Sequence, residues 1–337
     1  MEDSDNTPGM LVGSLAIIAA VLGLTGCTKY LTKYEATRSL MDTFVTITVF
    51  DTDDKSAADA ITAAFNRIEE IESRASIFDE TAEAFRLNRD GHLDNPSVDL
   101  LKLITMSADY FSLTDGYFDI TVQPLLELWD EGELWKENPE VQQARIDETM
   151  RLVGCDNIYI RNNDIHFELE GMKITLGGIA KGYAADEALR VLAGKGIKHA
   201  LVNLGGDMSA LGSKPEGEPW QIALVNPDDT SQSLATFYFS DKSITTSGNY
   251  IRYFDPEKKA GHILNPMTGY SSNECISVTI IANGGSLADA LATAVFVMGP
   301  AAGLELVETL CGVECLIVDA NQVIHQSSGL DDYLSEG

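Results

Sequence analysis

A chain of 337 residues with 45% hydrophobic and 22% charged residues has globular composition, which excludes a disordered or fibrous protein and leaves room for one large domain or two ordinary ones. A formal net charge of −29 argues against nucleic acid and anionic lipid headgroups as partners. In so acidic a protein, an anionic ligand needs local positive charge from a lysine or a metal ion.

The first feature along the chain is an apolar run over residues 11–24. It is shorter than the ~20 residues that cross a bilayer and fits the hydrophobic region of a secretion signal. The run ends in "LTGC", residues 24–27, like a bacterial lipobox whose cysteine becomes the lipidated first residue. The leading "MEDSDNTPG" is acidic, where such signals usually start basic. The expectation is a lipoprotein-type signal over 1–26, lipidation at Cys27, a tether over 27–40 and a single domain over 41–337. The protein would then be exported and anchored to the cell membrane on its extracytoplasmic side.

"MDTFVTITVF", residues 41–50, alternates as a strand does. Residues 56–76 predict a helix capped by Ser56, with Ile61, Phe65, Ile68 and Ile71 as its apolar stripe. Residues 77–96 read as loop. Residues 97–116 predict a second amphipathic helix stopped by Gly116. Pro124 interrupts the stretch that follows. "NIYIRNNDIHFEL", residues 157–169, predicts a hairpin turning at Asn162–Asn163. Further strands are expected over "HALVNLGGDMSALG", "PWQIALVNP", "TFYFS" and "KSITTSG", and a third helix over 286–299. Strands and helices mix without regular βαβ alternation, so the fold class is α+β. No GxGxxG or Walker-type loop is present, which argues against those nucleotide folds. Cys155, Cys275, Cys311 and Cys315 lack zinc spacing and read as buried free thiols.

Several groups carry candidate chemistry. In "ITLGGIAKGYAAD", residues 174–186, a strand-like run enters Gly177–Gly178, and Lys181 stands alone before a helix start. Backbone N–H groups at a helix start attract phosphate, although an ordinary strand-to-helix turn has the same pattern. Asp289 and Thr293 lie four apart on one helix face. Two hard oxygens suit Mg²⁺, but on this helix alone "SLAD" reads better as a helix cap, with Asp289 in its first turn. His262 in "AGHILNPMTG" is a candidate base or a surface residue. "TTSGNY" offers three hydroxyls, and "NLGGD" places Asp207 at a turn or in a site.

Taken together and in this order, "MDTFVTITVF", "SIFDETAEAFRLN", "LTDGYFDITVQPLLELW", "TLGGIAKGYAAD", "VNLGGD", "TTSGNYIRYF", "GHILNPMTGY" and "ADALATAVFVMG" closely resemble the ApbE family of FAD:protein FMN transferases. The resemblance runs from Met41 to near the C-terminus. It implies a T-fold-like α+β domain with mixed or antiparallel sheets and packed helices. It also implies Mg²⁺-dependent transfer of FMN from FAD to a Thr or Ser hydroxyl of an acceptor protein, releasing AMP. Such acceptors include flavin-carrying subunits of membrane redox pumps.

By that resemblance, Gly178 (through its carbonyl), Asp289 and Thr293 would hold Mg²⁺, and Lys181 would meet the FAD pyrophosphate. Met41, Phe78, Phe118, Asp119, Ile120 and Thr175 would line the cofactor, with Ile263 near it and His262 as the base. The chain departs from the family pattern in three places: Thr175 stands where an Asp is usual, "MDT" replaces "MGT", and Phe78 replaces a Tyr. The competing expectations are an FAD pyrophosphatase that releases FMN and AMP, and a lipoprotein that binds FAD without turnover.

Overall fold

Residues 30–226, 232–249, 253–255 and 260–334 are described in the computed structural model of the chain. The expected signal segment and Cys27 lie outside them. Part of the expected tether is a strand: β1 (Thr32–Leu40) pairs antiparallel along its length with β2 (Thr43–Asp51). Its polar sequence conceals it because β1 is a sheet edge with no fully buried residue. Met41 and Asp42 form the turn, with φ of 53° and 58°. Both are left-handed, the geometry that follows strand twist in two-residue hairpins. Position 42 is therefore one where a glycine would fit freely and Asp is tolerated. In β2, Val45, Ile47 and Val49 are fully buried, as the alternation predicts.

α1 (Asp54–Ala75) buries the predicted stripe, but its cap is Asp53, whose carboxylate accepts the Ser56 N–H at 2.8 Å. The expected loop over 77–96 contains α2 (Glu83–Asp90), ended by Gly91 at φ 72°, and the short β3 (His92–Leu93). α3 (Val98–Leu113) is capped by Ser97 and stops where the Gly116 N–H returns to the Phe111 carbonyl at 2.8 Å. Pro124 opens a helix rather than interrupting one: it lies in the first turn of α4 (Gln123–Trp129). α5 (Pro139–Thr149) follows. Then come β4 (Ile158–Arg161) and β5 (Asp164–Phe167), joined by Asn162 and Asn163 at positive φ as expected.

The second half runs α6 (Ala180–Gly194), β6 (Ala200–Leu204), β7 (Asp207–Leu211), β8 (Trp220–Val225), β9 (Ser233–Phe239), β10 (Ser243–Gly248), β11 (Tyr253–Asp255) and β12 (Ala260–Gly261). It closes with β13 (Cys275–Ala282), α7 (Gly285–Met298), α8 (Pro300–Glu308), β14 (Glu314–Asp319) and β15 (Ile324–Gln326). One antiparallel sheet, ordered β1-β2-β6-β7-β10-β13-β14-β15, organises the molecule. α1 and α6 cover one face, packing on Val45, Ile47 and Val202. α7 extends that layer over Val278 and Ile280. The β8–β9 ribbon covers the other face, where Trp220, Phe237 and Phe239 meet Ile244, Ile281 and Leu316. β13 is thus buried on both sides, which explains its nearly unbroken apolar run. The class is α+β, as expected.

Three helices are tied by one ionic cluster. Arg67 of α1 donates to Asp99 of α3 (2.7 Å from Nη1) and to Glu187 of α6 (3.0 Å), and the Tyr183 hydroxyl donates to Asp99 at 2.7 Å. Burial pushes the Asp99 carboxyl up, but Arg67 and Tyr183 outweigh it and hold it below the usual value. Arg67→Ala takes the paired cation from the buried Asp99 carboxylate, while Glu187 keeps its ion pair with Arg190, and is expected to destabilise the fold by about 3 kcal/mol. The cluster's contribution is full above the unfolded Asp value of about 3.9 and is lost as pH falls toward the lower folded value. Denaturant melts of both proteins from pH 7 down to pH 3 check this, and their difference should narrow at the acid end. Of the cysteines expected to be buried, Cys311 is exposed, while burial pushes the thiols of Cys155, Cys275 and Cys315 up to about 12.

Candidate functional site

The run before the glycines joins no sheet. Its backbone groups find other partners. The Asn88 carboxamide pairs with both the N–H and the C=O of Ile174, at 2.7 and 2.8 Å. The Thr175 N–H donates to the Ile120 carbonyl at 2.7 Å, which fastens the loop to the 118–120 segment. Thr175 Oγ1 accepts from the Gly177 N–H at 3.3 Å. α6 then begins at Ala180, so Lys181 and Gly182 occupy its first turn.

α6 and α7 cross through two glycines. A Cβ on Gly182 would lie 2.1 Å from the Gly285 carbonyl oxygen, so no side chain fits there. At this close approach the helices exchange carboxylates. Asp186 of α6 accepts from the N–H groups of Gly285 (2.6 Å) and Ser286 (3.0 Å) and from the Ser286 hydroxyl (2.9 Å). Asp289 of α7 accepts from the Gly182 N–H at 3.0 Å. Each helix start is satisfied by an aspartate from the other. The self-capping reading of "SLAD" is therefore replaced: Gly284 is the N-cap of α7, and Asp289 faces α6.

Around Asp289 the expected residues converge. A Cβ on Gly178 would come within 3.0 Å of Thr293 Oγ1 and 3.3 Å of the Phe118 ring. Ser247 Oγ lies 3.4 Å from Thr293 Oγ1. Lys181 is ion-paired with Asp207 of β7, whose other oxygen accepts from the Thr246 N–H at 3.2 Å. Burial alone would lower Lys181, but Asp207 and Asp289 outweigh it and keep the ammonium charged. Burial pushes the Asp289 carboxyl up to about 6, against the pull of Lys181. Among the described residues no three His, Cys, Asp or Glu side chains gather to hold a metal. A cation here would rest on one carboxylate, one hydroxyl and backbone carbonyl oxygen. That all-oxygen set suits Mg²⁺, which takes few protein ligands and keeps places for phosphate oxygens and water. It does not suit zinc.

The His262 segment is held beside α7. Ile263 is buried in the cluster that contains Leu291 and Val295. Ser271 Oγ both donates to the Gly261 carbonyl and accepts from its N–H, each at 2.9 Å, and the Ser272 N–H donates to the Ile263 carbonyl at 2.9 Å. The Asn249 side chain packs against Gly261 and donates to the Ser272 carbonyl at 2.7 Å.

The other expected lining residues have local settings of their own. The Met41 N–H is bound by Glu72 at 2.8 Å. Phe78 is 84% exposed. Ile120 is buried, and the Asp119 carboxylate is engaged by the Thr121 N–H and hydroxyl and the Cys155 N–H. Sequence reasoning missed Asn88, Asp186 and Gly182, all within quoted motifs. The "DG" that ends α2 was the available signal for the helix that carries Asn88.

A model of the ApbE family matches residues 41–317. The FAD:protein FMN transferase of Haemophilus influenzae is 27% identical over 97% of this chain and 98% of its own length. That of Escherichia coli K12 is 28% identical over 87% and 88%. Among solved structures, the ApbE protein of Thermotoga maritima superposes with a TM-score of 0.81 at 30% identity, covering 90% of this chain and all of its own. The flavinyl transferase ApbE of Pseudomonas stutzeri gives 0.78 at 25% identity, covering 91% and 98%.

Proposed function

Because this chain belongs to the ApbE family, we propose that it transfers the FMN half of FAD to a hydroxyl of an acceptor protein, releasing AMP, with Mg²⁺ as cofactor. The observation that carries the reading is the meeting of the Gly178 loop, Asp289, Thr293 and the Lys181–Asp207 pair where α6 and α7 cross.

In this account Asp289, Thr293 and the Gly178 carbonyl would hold Mg²⁺, which when bound would supply positive charge to the pyrophosphate and its leaving phosphate. Lys181 keeps a second cation beside the site in an otherwise acidic protein. The acceptor oxygen attacks the phosphorus on the FMN side, the bond to the AMP phosphate breaks, and His262 takes the hydroxyl proton. Phe118 and Thr175 line the cofactor beside the metal, and Met41, Phe78 and Ile263 border it. The acceptor hydroxyl belongs to a Thr or Ser, as on a flavin-carrying subunit of a membrane redox pump.

AMP release measured with and without a flavin-acceptor domain tests this. Transfer requires the acceptor for turnover. Equal AMP release without it would mean hydrolysis, and none under either condition would mean storage.

We also propose export and a lipid anchor on Cys27, supported by the apolar run and the "LTGC" that ends it. The mature chain should then start at a lipidated Cys27. Intact mass spectrometry of the membrane fraction checks this, and an unprocessed Met1 would overturn it.

A further inference from the structure

We infer that Asn88 is a positioning residue for the metal and pyrophosphate site, acting through the glycine loop. The inference rests on the roles proposed above for Gly178 and Lys181.

Ile174 is fully buried, yet the segment around it belongs to no sheet. A buried peptide group must find partners elsewhere. A carboxamide presents one donor and one acceptor side by side, as a neighbouring strand's peptide does. Asn88 uses both, donating to the Ile174 carbonyl at 2.8 Å and accepting its N–H at 2.7 Å, across 86 positions of sequence. One residue later, Thr175 is fixed to Ile120. Three residues after that comes Gly178, where an added Cβ would come within 3.0 Å of Thr293 Oγ1 and 3.3 Å of the Phe118 ring. The last turn of α2 therefore stands in for a missing strand and sets where the Gly178 carbonyl and the start of α6 lie. Neither Asn88 nor Ile174 need touch a ligand for this, since the effect passes along four residues of backbone.

The test uses Asn88→Ala, Asn88→Asp and, as a control, Phe237→Leu in the β8–β9 layer on the far side of the sheet. Asn88→Asp keeps the acceptor for the Ile174 N–H but sets a carboxylate oxygen against its carbonyl. It also serves if the alanine variant folds poorly. Two quantities are read: hydrogen–deuterium exchange of the backbone over 173–178, and the Mg²⁺ concentration at half-maximal AMP release with FAD and acceptor saturating.

Both Asn88 variants should exchange faster over 173–178. Their half-saturating Mg²⁺ should rise about tenfold, a change of about 1.4 kcal/mol, while kcat at saturating Mg²⁺ stays close to that of the unmutated protein. Phe237→Leu should lower thermal stability and leave the Mg²⁺ requirement unchanged. Unchanged exchange over 173–178, or a loosened loop with an unaltered Mg²⁺ requirement, would overturn the inference and leave the transferase reading standing. An unmutated protein that releases no AMP would remove that reading, and this inference with it.

Discussion

Asp289→Ala is expected to abolish Mg²⁺-dependent AMP release. A metal on a transferring phosphoryl group is worth several kcal/mol, and each 1.36 kcal/mol is tenfold in rate, so kcat should fall by about 10³ or more. The substitution also removes the acceptor of the Gly182 N–H, a cap-like bond worth about 1 kcal/mol. Asp289→Asn separates the two effects, because its side-chain oxygen still accepts that N–H and carries no charge. The Asn variant should melt close to the unmutated protein and still be inactive. Assays with Mg²⁺ varied over a wide range check this, and full activity in Asp289→Ala would remove the metal assignment.

His262→Ala should slow transfer by ~10²–10⁴, the usual contribution of a positioned general base. FAD binding, followed by the change in flavin fluorescence, should be nearly unaffected. Buried Ile263 and the Ser271 clamp on Gly261 fix the residues on either side of His262, so the variant should fold. The lost rate should recover in part as pH rises, because a more ionised acceptor hydroxyl needs its base less. An unchanged rate at neutral pH would exclude His262 as the base.

The parts of the fold that were legible in sequence are those where one local rule decides. The alternation read over residues 41–50, the stripe of α1 and the Asn162–Asn163 hairpin each have a period or turn chemistry with one outcome. β1 was not legible, because an edge strand buries little and needs no apolar face. Its register comes from a Met-Asp turn that lacks the usual Asn-Gly signature. α2 was missed because its eight residues bury only Glu83, Ala84 and Leu87.

At the site, the family resemblance named Gly178, Asp289 and Thr293, and the structure sets the Gly178 loop against α7, which carries the other two. It could not convey that Asp186 and Asp289 trade helix starts, or that Lys181 is paired with Asp207. Those are contacts between residues far apart in sequence, made possible by two glycines whose helices touch. "SLAD" illustrates the difficulty: as a local string it is a cap, and only the crossing of α6 turns its aspartate toward a neighbour.

The measurement that tests the central claim most directly is the intact mass of a flavin-acceptor domain after incubation with this protein, FAD and Mg²⁺, with AMP quantified in the same sample. The account predicts one FMN unit added per acceptor, an equal amount of AMP, and neither product when Mg²⁺ is chelated. An acceptor of unchanged mass beside accumulating AMP, or labelling that persists without Mg²⁺, would contradict it.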